Sequence, residues 1–369
     1  MKTRDLRSAA LERLENTSQE NRAEVGRLES LPKWLNLMPM VLQWLWLGLK
    51  YRSITLPSAA NPSITAGGLI GEGKSEYFRV MGAHARGHTA DFAMLENQGP
   101  RSATRAEDLM CEAGLEYPLI LKPDIGWCGF GVRLVQDRKE LEAYLDQFPA
   151  GEIIMLQRFM TCEGEAGIYY VRHPDLDRGR VASILLRYFP RVVGDGWHTV
   201  AELIAAHSRV RRLTRDGHSE ACCDPLYVPS PGEIVRVSIT GSTRVGGLYR
   251  DGSALITSAL ESAVDAIAQD MPDLHVARFD VRFESLAALC SGTGFKIIEV
   301  NGVGSEAVHA WDPKYSLPEA YEIVFAKQRL LFSIGAVMRA RGREPISFFE
   351  MADLYLRQSR LIRRYPRSN

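Results

Sequence analysis

The residues of this chain best suited to chemistry lie in two nearby segments. The first, Ala277–Val281, alternates polar and apolar side chains, which predicts a strand with Arg278 and Asp280 on one face. The second reads Lys-Ile-Ile-Glu-Val-Asn, so Glu299 and Asn301 also share a face. Two carboxylates and an amide oxygen are hard ligands of the kind that Mg²⁺ prefers, and a neighbouring arginine could neutralise charge on a phosphoryl group. The set predicts a magnesium-and-phosphate site, although each residue alone is more typical of a salt-bridged sheet surface.

A glycine-rich segment, LILKPDIGWCGFGV, indicates related chemistry. Lys122 ends a predicted buried strand, and Gly126, Gly129 and Gly131 follow it in a short loop. Three glycines allow the backbone to close over a phosphate chain, and the lysine adds a positive charge beside it. The segment predicts a loop that binds nucleotide phosphates, with a plain hairpin as the alternative.

A second glycine-rich stretch, from Gly67 to Ser75, contains the GxxxxGKS spacing of a P-loop. A P-loop should follow a buried strand, whereas the residues before this stretch are rich in proline and polar side chains. We therefore expect a loop on the substrate side of a site, or a structural loop, rather than a P-loop.

The elements that could position these residues alternate along the chain. Short apolar runs predict strands and amphipathic runs predict helices from residue 118 to residue 207, without a long internal repeat. Two further helices are expected near the C-terminus, at 318–341 and 346–364. The predicted fold class is α+β, built from α/β elements.

Composition narrows the class of protein. Acidic and basic residues number 45 each, so no overall positive field recruits nucleic acid. The six cysteines form no CxxC pair, and the N-terminus lacks the apolar core of a signal peptide, which favours a cytoplasmic location. The apolar segment 35–49 is shorter than the roughly 20 residues of a membrane span. It predicts either a buried or partner-covered helix, kinked at Pro39, or a peripheral contact with the inner face of the membrane.

The lysine with its glycine loop, the Arg-x-Asp pair and the Glu-x-Asn pair together resemble the ATP-grasp superfamily. The resemblance extends over about 117–315 and is strongest to D-alanine–D-alanine ligase-like and cyanophycin-synthetase-like carboxylate–amine ligases. It implies an ATP-grasp fold, in which two α+β subdomains clasp ATP between them. The implied layout is a helical N-terminal extension at 1–52, a short N-terminal subdomain at 53–116, a small lid subdomain at 117–200, a large subdomain with the metal site at 201–317, and an arginine-rich helical extension at 318–369.

The resemblance also implies roles for individual residues. An adenine-holding hinge and a ribose-binding glutamate are expected beside the phosphate and metal groups, although an acidic residue is common where Arg158 stands. The implied set is Lys122, Arg278 and the loop glycines Gly126, Gly129 and Gly131 for the phosphates, Gln157, Arg158 and Phe159 for adenine, Glu165 for ribose, and Asp280, Glu299 and Asn301 for two Mg²⁺ ions.

The implied reaction joins a carboxylate to an amine through an acyl phosphate, with release of ADP and phosphate. Two alternatives are a membrane-surface enzyme of the same type acting on a lipid-like or amphipathic substrate, and an ATP-binding scaffold with weak catalysis. The superfamily often forms homodimers, and the sequence identifies neither the carboxylate nor the amine. Substrate contacts are expected at Gly304, Ser305, Arg187 and Arg191, and the candidates for a general base are His198, His207, His309 and Glu306.

Overall fold

Eleven strands in three antiparallel sheets organise the part of the chain that the computed structural model describes, residues 25–99, 101–215 and 217–369. Residues 1–24 of the predicted helical extension lie outside the described residues. The α+β class expected from the sequence is confirmed. The strands are β1 (Phe92–Glu96), β2 (Leu119–Pro123), β3 (Arg133–Val135), β4 (Ile153–Arg158), β5 (Gly164–Val171), β6 (Arg180–Tyr188), β7 (Arg191–Val193), β8 (Ile234–Arg236), β9 (Leu248–Asp251), β10 (Val276–Phe283) and β11 (Phe295–Asn301).

Eleven α-helices accompany these strands within the same described ranges. Local hydrogen bonds fix several helix starts: Asp137 accepts from the Glu140 N–H, and Thr199 forms a capping box with Glu202. The helices are α1 (Arg27–Ser30), α2 (Lys33–Lys50), α3 (Lys74–Val80), α4 (Ala83–Gly87), α5 (Ser102–Glu112), α6 (Arg138–Gln147), α7 (Val200–Ala206), α8 (Ser258–Gln269), α9 (Leu286–Cys290), α10 (Leu317–Ala340) and α11 (Phe348–Ile362).

The smaller of the two main sheets has the strand order β1-β4-β2-β3. Its β2 lies between two neighbours and is buried along its whole length, which explains the nearly continuous apolar run of its sequence. Leu119, Leu121 and Leu156 belong to a core that also contains residues of α5 and α6. This core holds β2, and with it Lys122, in a fixed position.

The larger sheet has the order β11-β10-β5-β6-β9. Phe279 and Val281 of β10 lie in the main core together with Ile168 of β5 and Ile267 of α8. Full burial of each such side chain contributes about 1.5–3 kcal/mol relative to exposure. Burial of these apolar side chains anchors β10 in the core. The strand therefore holds the polar side chains that alternate with them in fixed positions.

The strands of the predicted lid, 117–200, divide between these two sheets. β2, β3 and β4 join β1 in the smaller sheet, whereas β5 and β6 pair with β10 in the larger one. The change of sheet falls in 159–163, between β4 and β5. Alternating elements reveal that strands exist, but their pairing depends on contacts distant in sequence.

The apolar segment 35–49 lies within α2, which continues through Pro39. Trp44 of α2 meets Phe332 of α10 edge to face, with ring centres 5.0 Å apart, and Gln43 Nε2 donates to the Phe325 carbonyl. Neither α2 nor any other helix in the described ranges combines the length and apolar character needed to cross a membrane.

Candidate functional site

The two predicted chemical segments lie side by side in the larger sheet. β10 and β11 pair so that Asp280 lies opposite Glu299 and Arg278 opposite Asn301. On the other side of β10, Asp280 lies opposite Gly167 of β5. A Cβ atom on Gly167 would lie 3.1 Å from Asp280 Oδ1, so glycine leaves room there for the carboxylate.

Asp280 is a buried carboxylate held by two arginines. Arg278 donates from Nε to Oδ1 at 2.8 Å and from Nη2 to Oδ2 at 3.0 Å. Arg187 Nη2 lies 3.2 and 3.1 Å from the same two oxygens, and Asn301 Nδ2 donates to Oδ2 at 3.2 Å. Burial alone would raise the pKa of Asp280, but the two guanidinium groups hold it below its ordinary value. The carboxylate therefore stays ionised and fixes both arginines.

The same cluster includes Glu165, the predicted ribose-binding residue, on β5. It accepts from Arg187 Nη1 at 3.1 Å and from Arg282 Nη1 at 3.0 Å. Arg282 also stacks over the Phe189 ring, 4.7 Å from its centre. Arg187 thus links two buried carboxylates, and its expected contact with substrate stays a prediction.

Lys122 reaches from the smaller sheet to the larger one. Its Nζ donates to Gln157 Oε1 at 2.7 Å and to the Ile298 carbonyl of β11 at 3.2 Å. Both acceptors are uncharged, and burial lowers the pKa of Lys122 to about 8. The lysine therefore lies at the junction of the two sheets, in contact with Ile298, the residue that precedes Glu299 in the chain.

A second lysine, Lys74, comes from the stretch with P-loop spacing. The residues before it form short 3₁₀ turns rather than a strand, so the P-loop context is absent from this described segment. Lys74 Nζ lies 3.2 Å from Glu299 Oε1, and the loop is fastened by Ser75, whose N–H and hydroxyl donate to Asp124 at 2.7 and 2.9 Å. The stretch brings a cation to the site without being a P-loop.

The charges of this cluster do not balance. Its cations are the two lysines and three arginines already described, and its carboxylates are Glu165, Asp280 and Glu299. Among these directly paired groups, most of them buried, five are positive and three are negative. Glu72, whose pKa is raised by burial to about 7, and Glu76 lie on either side of Lys74 in the chain and reduce this excess of positive charge. Such a cradle suits a strongly anionic ligand such as a polyphosphate.

The predicted phosphate loop follows β2 and turns back into β3. Gly129 and Gly131 have φ values of +75° and +71°, which side chains with a Cβ atom adopt at a cost. The loop is held from outside: Gln358 Nε2 donates to the Gly126 carbonyl at 2.9 Å, and Arg244 Nε donates to the Cys128 carbonyl at 3.1 Å. The C-terminal extension is thus attached to the glycine loop, which the sequence alone does not indicate.

The predicted adenine hinge occupies the end of β4 and the start of the 159–163 connection. Gln157 is buried, and its Nε2 donates to the Ile298 carbonyl at 3.2 Å. Phe159 is half-buried within the connection. Arg158 is exposed and faces Asp91, 2.8 Å from Nε, so its side chain is directed away from Lys122 and Gln157. The Arg158 N–H donates to the Asp91 carbonyl at 2.9 Å, so this N–H is also engaged away from the contact with adenine that the resemblance implies.

The residues expected to meet substrate are divided between two places. Gly304 donates its N–H to the Gly68 carbonyl at 2.7 Å, so the loop after β11 lies against the loop before α3. The Ser305 hydroxyl donates to the Gly302 carbonyl at 2.7 Å, and its carbonyl accepts from Lys327 Nζ. Arg191 lies elsewhere, on β7, with Nη2 2.7 Å from Glu163 Oε2.

The candidate bases also lie in separate environments. His198 pairs with Asp195 at 2.6 Å on the surface, and His207 Nδ1 accepts from the Arg209 N–H at 3.1 Å. His309 is half-buried, and Glu306 is exposed in the loop after β11. None of these contacts indicates which group would accept a proton.

The predicted magnesium ligands differ in how well they are placed to bind a metal ion. Glu299 has a side chain 31% exposed and touches Lys74, and Asn301 lies beside it with an amide oxygen. Asp280 already accepts five hydrogen bonds, so a cation there would compete with two guanidinium groups. Within the described residues no cluster of three His, Cys, Asp or Glu side chains suited to a metal is found. The arrangement fits one ion at Glu299 and Asn301 better than the two expected ions.

Two residues of the cluster were not predicted from the sequence, although signals for both exist. Arg282 extends the alternation of β10 by one step beyond Arg278 and Asp280, so it shares their face. Lys74 stands in the GKS tripeptide, but its contact with Glu299 joins parts of the chain more than two hundred residues apart.

No protein-family model matches the chain, and no curated protein matches it by sequence. Among solved structures it is similar to D-alanine–D-alanine ligase from Bacillus anthracis, with 12% identity over 76% of this chain and 72% of that one and a TM-score of 0.42. It is also similar to the VanG D-Ala:D-Ser ligase from Enterococcus faecalis, with 14% identity over 73% and 64% and a TM-score of 0.40. A bifunctional glutathione synthetase from Pasteurella multocida matches at 17% identity over 70% of this chain, with a TM-score of 0.35. The chain spans about a third, 36%, of that synthetase.

Proposed function

We propose that this chain is an ATP-dependent ligase that joins a carboxylate to an amine, with release of ADP and phosphate. The observation that carries the proposal is the excess of buried cations around Asp280 and Glu299, at the junction of two sheets. A phosphate-bearing ligand carries enough negative charge to balance this group, and the ATP-grasp resemblance of the sequence favours ATP among such ligands.

Each residue of the site has a distinct task in this proposal. Lys122 and Lys74 bind the phosphates, and Arg278 neutralises charge on the phosphoryl group in transfer. Glu299 and Asn301 hold magnesium, which neutralises phosphate charge when bound. Catalysis then consists mainly of positioning and charge stabilisation, because phosphoryl transfer needs little covalent help from the protein.

Asp280 acts in this proposal as a positioning residue. It holds Arg187 and Arg278 through paired hydrogen bonds, so both guanidinium groups are oriented before a ligand arrives. The glycine loop from Gly126 to Gly131 covers the phosphates and keeps water from a reactive acyl phosphate. The acceptor amine approaches from the loop after β11, beside Lys327.

The carboxylate–amine chemistry and the wider setting rest on the resemblance of the sequence. The proposed partners are a small carboxylate and a small amine in the cytoplasm, where the six free cysteines would stay reduced. A homodimer stays a prediction. ATP binding without turnover would instead indicate the scaffold alternative.

The proposal is tested by a screen of amino acids, dipeptides and acylated amines for substrate-dependent release of ADP. We expect ADP and phosphate with at least one pair, and no release from Asp280→Ala or Glu299→Ala proteins that remain folded. Glu284→Ala, an exposed carboxylate just after β10, is the matched control and should keep full activity. Release of AMP and pyrophosphate, or normal activity in both site variants, would refute the proposal.

A further inference from the structure

Helix α2 exposes a continuous apolar stripe, although it is fixed to the body of the protein. The exposed residues recur every three or four positions, so they form one face of the helix about 20 Å long. Their exposed fractions lie between 47% and 80%. The stripe consists of Trp34, Leu37, Met38, Val41, Leu42, Leu45, Trp46 and Leu49.

The polar residues of α2 face the other way, towards the protein. Asn36 is buried and donates to the Leu28 carbonyl at 3.2 Å, and Gln43 donates to the Phe325 carbonyl at 2.9 Å. The inward side is further held by Trp44, whose Nε1 donates to the Ile54 carbonyl at 2.9 Å. Leu47 is buried on the same side against Phe332, so the helix is apolar on both sides and leaves a second apolar face exposed, unlike an ordinary surface helix. Apolar patches of this size on soluble proteins mark interaction surfaces.

The charges on α2 indicate what covers the stripe. The helix contains no acidic residue, and its charged residues are Lys33 and Lys50 at the two ends, with Arg52 just beyond. If a second copy covered the stripe, either direction of pairing would place lysine beside lysine, which is unfavourable. A negatively charged lipid surface instead pairs with both ends at once.

Each end of α2 also has a tryptophan close to a lysine. Trp34 follows Lys33 at the start of the helix, and Lys50 Nζ lies 5.4 Å from the centre of the Trp46 ring near its end. Tryptophan and lysine together are typical of segments that lie at the level of lipid headgroups. We propose that α2 lies flat in the surface of a bilayer that contains anionic lipid, with its apolar stripe among the acyl chains. This inference concerns a surface separate from the ATP site and does not depend on the proposed ligase activity.

Vesicle co-sedimentation of the full-length protein tests the proposal. We expect the protein to pellet with vesicles of phosphatidylcholine and phosphatidylglycerol and to bind at least tenfold more weakly to phosphatidylcholine alone. The double variant Leu42→Glu, Trp46→Glu should lose at least tenfold in binding. The matched control, Trp197→Glu with Leu226→Glu, removes two side chains that are 84% and 75% exposed elsewhere, and it should bind like the wild type.

A second set of variants tests the charges. Replacing Lys33, Lys50 and Arg52 by glutamine should weaken binding to the anionic vesicles about fivefold per residue, with little effect on neutral ones. A wild-type protein that stays in the supernatant with anionic vesicles would overturn the proposal. So would an unaltered double variant. A lipid-free dimer that the double variant converts to a monomer, without vesicle binding, would assign the stripe to a second copy instead.

Discussion

Replacement of Lys122 by methionine separates the role of this lysine in stability from its proposed role in binding phosphate. The side chain is buried at the junction of the two sheets, and burial lowers its pKa from 10.5 to about 8. One pKa unit corresponds to about 1.4 kcal/mol, so holding the charged lysine there costs up to about 3 kcal/mol at pH 7. Methionine has a similar length and carries no charge, so the variant avoids that cost.

Hydrogen bonding opposes this gain. The variant leaves Gln157 Oε1 without the donor that lies 2.7 Å away in the wild type, which costs about 1–3 kcal/mol. The Ile298 carbonyl still accepts from Gln157 Nε2 at 3.2 Å. We therefore expect the free energy of unfolding at pH 7 to stay the same or to rise by up to about 2 kcal/mol. Activity should fall by about 10²–10³-fold, the usual effect of removing one donor that stabilises transition-state charge.

The difference in unfolding free energy between the wild type and the variant should change with pH in a defined direction. The folded wild type releases the Lys122 proton near pH 8, and the unfolded chain near pH 10.5. Between these values the unfolded state binds more protons, so the unfolding free energy of the wild type rises with pH. The methionine variant lacks this rise, and its advantage should shrink between pH 8 and pH 10.5. Urea unfolding at pH 7, 8 and 9.5, with ADP release at pH 7, measures both properties.

Lys296→Met is the matched control, since this lysine lies on β11 with Nζ exposed, 2.6 Å from the Gly87 carbonyl. It should alter stability by no more than about 0.5 kcal/mol and leave ADP release intact. The interpretation fails if Lys122→Met lowers the unfolding free energy by more than about 1 kcal/mol at pH 7. It also fails if the difference from wild type does not change with pH.

Asp280→Asn should lower the unfolding free energy by about 3–5 kcal/mol at pH 7, because two buried arginines lose their counter-charge. Since its folded pKa lies below the ordinary value, this deficit should shrink only below about pH 4; urea unfolding across pH checks both points. Glu299→Gln should raise the magnesium concentration for half-maximal ADP release about tenfold or more, in a magnesium titration; an unchanged value contradicts the metal assignment. Glu29→Ala should cost about 3–5 kcal/mol in urea unfolding, because it breaks a buried ion pair with Arg209 at 2.7 Å; a loss below about 1 kcal/mol contradicts that estimate.

Local periodicity in the sequence determined which residues share a face. Because side chains alternate along a strand, the spacing of Arg278 and Asp280 was enough to place them together, and the same holds for Glu299 and Asn301. The buried run of β2 likewise predicted a strand that ends near Lys122. These inferences need only neighbouring residues, and for that reason the α+β class and most elements could be predicted.

Contacts between residues distant in sequence decided which side chains surround Asp280 and Glu299. Arg187 and Lys74 lie far from Asp280 and Glu299 along the chain, and only strand pairing and loop packing bring them together. The same contacts change the meaning of a predicted residue. Asp280 was expected to bind metal, but in the fold it already has two cationic partners, and Arg158 faces Asp91 instead of the site.

Helix α2 likewise combines features that the sequence determined with an orientation that only the tertiary structure decided. The sequence alone determined that residues 35–49 are apolar and too short to span a bilayer. It did not determine which face of this helix meets the protein, because both faces are apolar. Hydrogen bonds from Asn36 and Gln43, together with the packing of Trp44 and Leu47 against Phe332, fix one face inward and leave the apolar stripe exposed. Only the tertiary structure decides this orientation, since it depends on what lies opposite each face.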